Sequence, residues 1–495
     1  MGRRGIKVSR VLINKIYDIL PEFLQTILIN TVKSIKKFFY KLSKLFRRFQ
    51  NSKPEIIHEF NFNRKYGPLP RVCYAPYTSL FLSRLGYISP CYASYNSDSS
   101  HISKESLKTA WFDGSIERIR KKHLNYDFSE CSLCKSLLEQ KAFGSLLINK
   151  YDHYSFSRSS YPRIIEFELS NKCNLSCIMC DSNLSSRIEK TECNNISGNQ
   201  FYGEKFFEDL EEFIPHLHLA EFTGGDPLII DEYYRILQLI KKLNPSCSIL
   251  ITTNANTYNE KVEWILNNFK KINFNVSIDS LDAENYSKIR RNGDFNKAIK
   301  NLELFIEYSR KNKTYLNILV CPMTVNFHEM ADFVNFANEK DICVFFHTVV
   351  KPKHLSLKYN RSDSIQENIE NFKSLKFPDK TKNQKTNKKN FEDLVNLVEI
   401  WQSELELQMR KNQNQFRELS ISEMEESLFK KIRGEEKFVN YKMQTILEKY
   451  KNNDNYKVLL SKLVAVENQK FIRYLREKET DELLLITEDL IKSTK

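Results

Sequence analysis

The chain has 495 residues, 41% of them hydrophobic, with 76 Lys/Arg against 62 Asp/Glu and 11 cysteines. That apolar content can build a core, so wholesale disorder is excluded, and no apolar run reaches the roughly 18 residues that a membrane-spanning helix needs. The basic start Met1–Arg10 lacks a following apolar core and cleavage site, which disfavours secretion and leaves the cysteines reduced, as metal or redox groups rather than staples.

The excess charge is concentrated at one end. Residues 1–50 hold twelve Lys/Arg against Asp18 and Glu22, so the rest of the chain is nearly neutral and no nucleic-acid partner is expected. This segment reads as two basic amphipathic helices separated at Pro21. In the second, Val32, Ile35, Phe38, Phe39, Leu42, Leu45, Phe46 and Phe49 recur at helical spacing, opposite a face of Lys and Arg. The pattern fits an interfacial helix on anionic lipid, an ordinary helix docked on the protein, or a grip on an anionic partner. The location that follows is cytoplasmic, with peripheral contact at the inner membrane surface as an option.

Residues 66–150 carry four thiols. Cys73 and Cys91 stand at the base of an expected hairpin, Thr78–Leu82 and Tyr87–Pro90, turning at Gly86; a helical stretch near Lys104–Leu124 then leads to Cys131-Ser-Leu-Cys134. Four thiols form a closed ligand set for which structural zinc and an iron–sulfur cluster compete.

Residues 161–350 alternate between β-rich runs and helical patterns. The expected strands are Arg163–Leu169, His218–Phe222, Ser248–Thr252, Ile272–Ile278, Tyr315–Cys321 and Cys343–Val349. Helices are expected near Glu204–Ile214, Asp231–Lys242, Glu260–Phe269, Phe295–Lys311 and Phe327–Glu339. This is an α/β pattern with a parallel sheet, doubly wound or a partial barrel, whose chemistry gathers at the carboxyl ends of the strands. The polar, basic segment Lys376–Asn390 reads as a linker, and 391–495, rich in Glu, Lys and Leu, as a helical appendage.

The first expected strand leads into Cys173-x3-Cys177-x2-Cys180. Zinc usually takes four ligands in paired Cys-x2-Cys spacing, whereas three thiolates suit a [4Fe–4S] cluster with one iron left open. With these residues in place the chain resembles the radical S-adenosylmethionine (SAM) superfamily, whose Cys-x3-Cys-x2-Cys signature the three cysteines match. The resemblance implies a partial (β/α)6 barrel, a SAM-binding [4Fe–4S] cluster, and SAM itself as cofactor. It extends to Met179 near the adenine and to Gly224-Gly225-Asp226-Pro227 at the methionyl amino group, with Asp226 where the family has Glu. Thr252, Thr253 and Asn254 take the place of ribose-binding groups. Ser277, Asp279 and Ser280 end the fourth strand, and Arg290, with Arg291 as competitor, is the candidate for the SAM carboxylate.

The four-cysteine set, Cys73, Cys91, Cys131 and Cys134, is similar to the twitch module, the shortened SPASM domain, here preceding the barrel. The resemblance implies an auxiliary [4Fe–4S] cluster in a hairpin-plus-helix module, and zinc is disfavoured because only one Cys-x2-Cys knuckle is present. Cys193, Cys247, Cys321 and Cys343 read as buried hydrophobes, with Cys321 the one to test for a role in the barrel. The implied activity is reductive cleavage of SAM to a 5′-deoxyadenosyl radical, which takes hydrogen from a substrate carbon. Electrons come from a ferredoxin- or flavodoxin-like donor. A peptide or protein side chain, oxidised or cross-linked, is the expected substrate; a small sugar or aminocyclitol is the alternative, and a non-catalytic iron–sulfur or zinc adaptor the reading from another class.

Overall fold

The computed structural model describes residues 55–492, apart from 66–67, 95, 97, 142, 155–159, 193–200, 418–419, 434–436, 454, 466–471, 473–474 and 477. The basic helices expected over 1–50, and Cys193, lie outside the described residues. Those described form two compact units: one carries the sheet and runs to Cys321 with 332–347 and 377–388, and one is helical, comprising 322–331, 348–376 and 389 onward.

The first unit is built on one nine-stranded sheet. Its strands are β1 (Ser79–Leu82), β2 (Tyr87–Ser89), β3 (Ser100–His101), β4 (Ile164–Phe167), β5 (Leu219–Phe222), β6 (Ser248–Thr253), β7 (Ile272–Ser277), β8 (Leu316–Val320) and β9 (Cys343–Phe346), in the order β3-β2-β1-β4-β5-β6-β7-β8-β9. From β4 to β9 every neighbouring pair is parallel, as the six expected strands require of a partial barrel. Helices Asp231–Leu243 and Phe295–Asn312 pack on one face. There Phe167 stacks on Phe222, Phe222 meets Tyr233 edge-on, and Phe274 stacks on Phe305 at 4.5 Å.

The hairpin of the cysteine module forms, but not as a separate ribbon. β1 and β2 are antiparallel, while β1 also runs parallel to β4 in the register Ser79↔Ile164 to Leu82↔Phe167. All four residues of β1 are buried. Pairing satisfies the backbone of β4's outer edge, which otherwise would be an open template. The helical stretch expected over Lys104–Leu124 is two helices, Leu107–Phe112 and Ser115–Leu124, broken at Asp113-Gly114. The module has its own core around Ile57, Phe60, Val72, Leu138 and Tyr151.

The expected linker needs correction. Of Lys376–Asn390, only 376–381 lacks regular structure, and Lys382 begins a helix that runs to Arg417. Its polar side chains made it read as a tether, yet Asn387 is fully buried. Asn387 Oδ1 accepts the Val344 N–H at 2.9 Å and its Nδ2 donates to Ile342 O at 2.9 Å, so the amide serves the backbone beside β9. The helical unit is cored by Met424, Leu428, Met443 and Leu459. Ser420 and Glu423 close a reciprocal capping box at the start of helix Ile421–Lys431. Among the described residues no helix is long and apolar enough to cross a membrane.

Candidate functional site

The loop that leaves β4 is held from both sides by backbone. Gly225 N donates to Ser170 O at 3.0 Å and Asp226 N to Lys172 O at 2.8 Å, tying its start to the end of β5. Ser176 N donates to Arg291 O at 3.0 Å and Ile178 N to Ile289 O at 2.9 Å, tying its middle to the segment after β7. Gly224 sits at φ +99°, a left-handed conformation that glycine adopts freely, and a Cβ on Gly225 would fall 2.2 Å from Lys172 O. The close approach that these glycines permit is therefore to the cysteine loop itself.

Cys173, Cys177 and Cys180 are all half-buried on this loop. Cys173 Sγ accepts the Leu175 N–H at 3.5 Å and faces Asn254 Nδ2 at 3.9 Å. Burial pushes the Cys177 thiol up to about 11, against the pull of nearby Arg290. Burial, and then the neighbouring Cys177, push Cys180 up to about 12. Three thiols that feel one another's charge suit a cation that replaces their protons.

Arg290 lies beside them, 6% exposed, with Nη2 2.7 Å from Asp279 Oδ2. Burial opposes its charge, but Asp279 and then Cys177 hold it above its ordinary value. Asp279 is fully buried and its Oδ1 also accepts the Cys321 N–H at 2.7 Å. Arg290 Nε has no hydrogen-bond partner among the described residues.

The second cysteine set lines one recess, shared with His123 and Ile148. Arg64 Nη2 donates to Val72 O at 3.0 Å while Nε donates to Asp152 at 2.8 Å, which fixes the approach to Cys73. Cys73 Sγ accepts the Ala75 N–H at 3.4 Å, and the backbone N–H groups of Ile148 and Leu147 serve Cys134. Burial, then Cys91, Cys131 and Cys134, raise the Cys73 thiol; burial and then Cys91 push Cys134 up to about 11. Among the described residues, no three or more Cys, His, Asp or Glu side chains surround a single ion position. What both sets do show is thiols close enough to raise one another, with N–H donors on sulfur, the donor chemistry of thiolate-held clusters.

Residues 167–337 match the sequence model of the Radical SAM superfamily. That stretch of the chain is a radical SAM domain. The chain is 29% identical over 182 residues to a GTP 3′,8-cyclase of Clostridium botulinum (strain Okra / Type B1), covering 37% of this chain and 54% of that protein. To the GTP 3′,8-cyclase of Petrotoga mobilis it is 27% identical over 189 residues, 38% of this chain and 56% of that protein. The chain thus spans about half the length of these curated relatives. Among solved structures it is similar to Streptococcus suis SuiB bound to S-adenosylmethionine, with 18% identity, TM-score 0.32, and coverage of 54% of this chain and 59% of that one.

Within the radical SAM domain the motif residues do gather at the carboxyl ends of the strands, some in unforeseen roles. Asp226 is fully buried and its carboxylate accepts from Leu228 N at 3.0 Å, Thr253 Oγ1 at 3.0 and 3.1 Å, and Asn254 N at 3.2 Å. Burial pushes this carboxyl up to about 6 despite those donors. It therefore ties β5 to β6, and the shorter reach of Asp than Glu suits that inward bond. Asn254 Nδ2 donates to Asn174 Oδ1 at 2.8 Å, inside the cysteine loop. Ser277 and Met179 are half-buried, Ser280 is fully buried, and Arg291 is exposed, with only its carbonyl engaged by the loop. Asn256 links Tyr286 to the Asp294 backbone.

Sequence reasoning missed the sheet face opposite the helices. Glu166 on β4 pairs in register with Glu221 on β5, and Lys150 Nζ bridges them at 3.5 and 2.6 Å. Asn317 Nδ2 donates to Asn275 Oδ1 at 3.0 Å, and Asn275 Nδ2 to Thr252 Oγ1 at 3.5 Å, extending a polar ladder across β6–β8. The signal was present as single charged residues alternating within apolar runs, Ile164-Ile-Glu-Phe-Glu168 and Leu219-Ala-Glu-Phe222.

Glu168 continues that face. Burial, and then Glu166, push its carboxyl up to about 7 from 4.5. A carboxyl raised in the folded state favours folding below its unfolded value and loses that advantage as pH rises through its folded one, so the window is about pH 4.5 to 7. Glu168→Gln is expected to match the parent near pH 4 and to exceed its stability by about 3 kcal/mol above pH 7. Urea unfolding at both pH values checks this; a difference independent of pH would contradict it.

Proposed function

We propose that this chain is a radical SAM enzyme that takes a hydrogen atom from an unactivated carbon of a peptide or protein side chain, with net oxidation or cross-linking. The observation that carries the reading is the three-thiol loop, pinned against Gly225 on one side and Ile289–Arg291 on the other, with Arg290 buried beside Cys177. Cys173, Cys177 and Cys180 would hold one [4Fe–4S] cluster; Cys73, Cys91, Cys131 and Cys134 would hold a second. When bound, the two would supply the electron that splits SAM into methionine and a 5′-deoxyadenosyl radical, and an acceptor for the electron left on the substrate.

The chain's own residues bind and orient. Arg290, kept protonated by Asp279, would offer the SAM carboxylate its Nε, which has no partner among the described residues, and Ser277 would be the second candidate for that carboxylate. Gly224, Gly225 and Asp226 form the wall for the amino group, Thr253 and Asn254 that for the ribose, and Met179 that for the adenine. A ferredoxin- or flavodoxin-like protein would deliver the electron.

The substrate reading draws on the face carrying Glu166, Glu168 and Glu221. Glu166 and Glu221, bridged by one lysine, with the Glu168 carboxyl beside them, disfavour a triphosphate, the group named in the GTP 3′,8-cyclases, and suit a neutral or cationic side chain.

Anaerobically reconstituted protein, reduced with dithionite, is expected to convert SAM to 5′-deoxyadenosine and methionine. Its iron content should be about eight per chain. Replacing Cys173, Cys177 and Cys180 by Ala should abolish the cleavage and halve the iron. Cleavage that survives those replacements would refute the assignment.

A further inference from the structure

Helix Ser115–Leu124 brings a side chain into the four-cysteine recess that the cysteine spacing gave no reason to expect. His123 is 7% exposed and lines the recess with all four thiols. Its Nε2 lies 3.5 Å from Cys131 Sγ, while its Nδ1 has no hydrogen-bond partner among the described residues. Phe128 packs against the ring, with centroids 4.8 Å apart, so the imidazole is held in place rather than swinging in solvent.

The sulfurs are served unequally. Cys73 receives the Ala75 N–H, Cys134 receives those of Leu147 and Ile148, and Cys91 lies 3.5 Å from Ser94 Oγ. For Cys131 the only hydrogen-bond partner on sulfur among the described residues is His123. A thiolate that ligates metal has no proton to give, so the neutral imidazole meets it only as the Nε2–H tautomer. That tautomer leaves Nδ1 as a bare acceptor, a cheaper orphan to bury than an N–H.

We infer that His123 is a positioning residue of the auxiliary centre, donating its Nε2–H to the Cys131 thiolate and raising the reduction potential of the cluster held there. The inference rests on the two-cluster reading above. A hydrogen bond to a ligating sulfur draws charge from the metal centre and stabilises its more negative, reduced form. Such a shift favours the cluster as an acceptor for a substrate electron. Removing the donor should thus leave the iron in place and make the cluster harder to reduce.

The test uses the full-length chain with Cys173, Cys177 and Cys180 replaced by Ala, so that only the auxiliary cluster contributes to an EPR-monitored redox titration. Adding His123→Phe, which keeps a ring and loses the donor, is expected to move the midpoint to a more negative potential. His123→Gln, whose amide nitrogen can reach the same sulfur, should restore much of the parent midpoint. Identical midpoints for parent, Phe and Gln would overturn the inference. So would loss of iron from both variants with far-UV circular dichroism unchanged, since the imidazole would then be a ligand. A parent that binds zinc or no iron would overturn the auxiliary cluster itself, a result read before any His123 variant is made.

Discussion

Gly225→Ala is expected to abolish 5′-deoxyadenosine formation and to strip the iron proposed for the Cys173 loop. The added Cβ would stand 2.2 Å from Lys172 O, 2.5 Å from Lys172 C and 2.6 Å from Asn171 C. All three atoms are backbone, so no side chain can turn aside, and the loop itself must retreat. Retreat breaks the bonds from Gly225 N to Ser170 O and from Asp226 N to Lys172 O, at a combined cost of about 3 kcal/mol. Cys173 follows Lys172 directly, so the displacement reaches that thiol without dilution. Gly203→Ala is the matched control: nothing lies within 4 Å of its Cβ, and both iron and activity should remain at parental levels. Iron analysis and product chromatography on the two variants decide the matter. A Gly225→Ala protein with full iron would show that the loop is not seated as described.

The second large effect concerns the buried pair beside the thiols. Arg290→Met should destabilise the protein by about 3–5 kcal/mol, because Asp279, fully buried, is left as an uncompensated charge. The double variant Arg290→Met/Asp279→Asn should recover much of that loss, since both charges leave together. Neither variant should retain SAM, for both lack the guanidinium. Arg291→Met, at an exposed position whose carbonyl alone is engaged, should keep stability and SAM binding. Thermal unfolding midpoints and equilibrium dialysis with labelled SAM read the two properties separately. If the double variant is no more stable than the single one, the pair's weight in the fold has been misjudged; if Arg291→Met alone loses SAM, the carboxylate contact belongs to the competitor.

The parallel strands and their helices could be read from the chain because each is a local pattern. Apolar alternation over Leu316–Val320, or helical spacing over Phe295–Asn312, expresses how a short segment buries one face, whatever its partners. The cysteines of the first loop were legible for the same reason: three thiols within eight residues need no distant chain to bring them together. The failures came where meaning depends on a distant neighbour. Lys382–Asn390 is polar enough to pass for a tether until Asn387 is seen serving the backbone at Ile342 and Val344.

What the sequence by itself determined is the order of strands and helices, the radical SAM signature, and the list of polar groups at the strand ends. Only the tertiary structure decided which way those groups face: Asp226 inward to Thr253, Gly225 against Lys172, β1 alongside β4, and His123 onto Cys131. The physical reason is that periodicity records how a residue meets water and its own element, whereas the donors and steric limits that give Asp226 and Gly225 their roles are supplied by chain far away in sequence, and His123 meets Cys131 through a fold of the chain that periodicity does not encode.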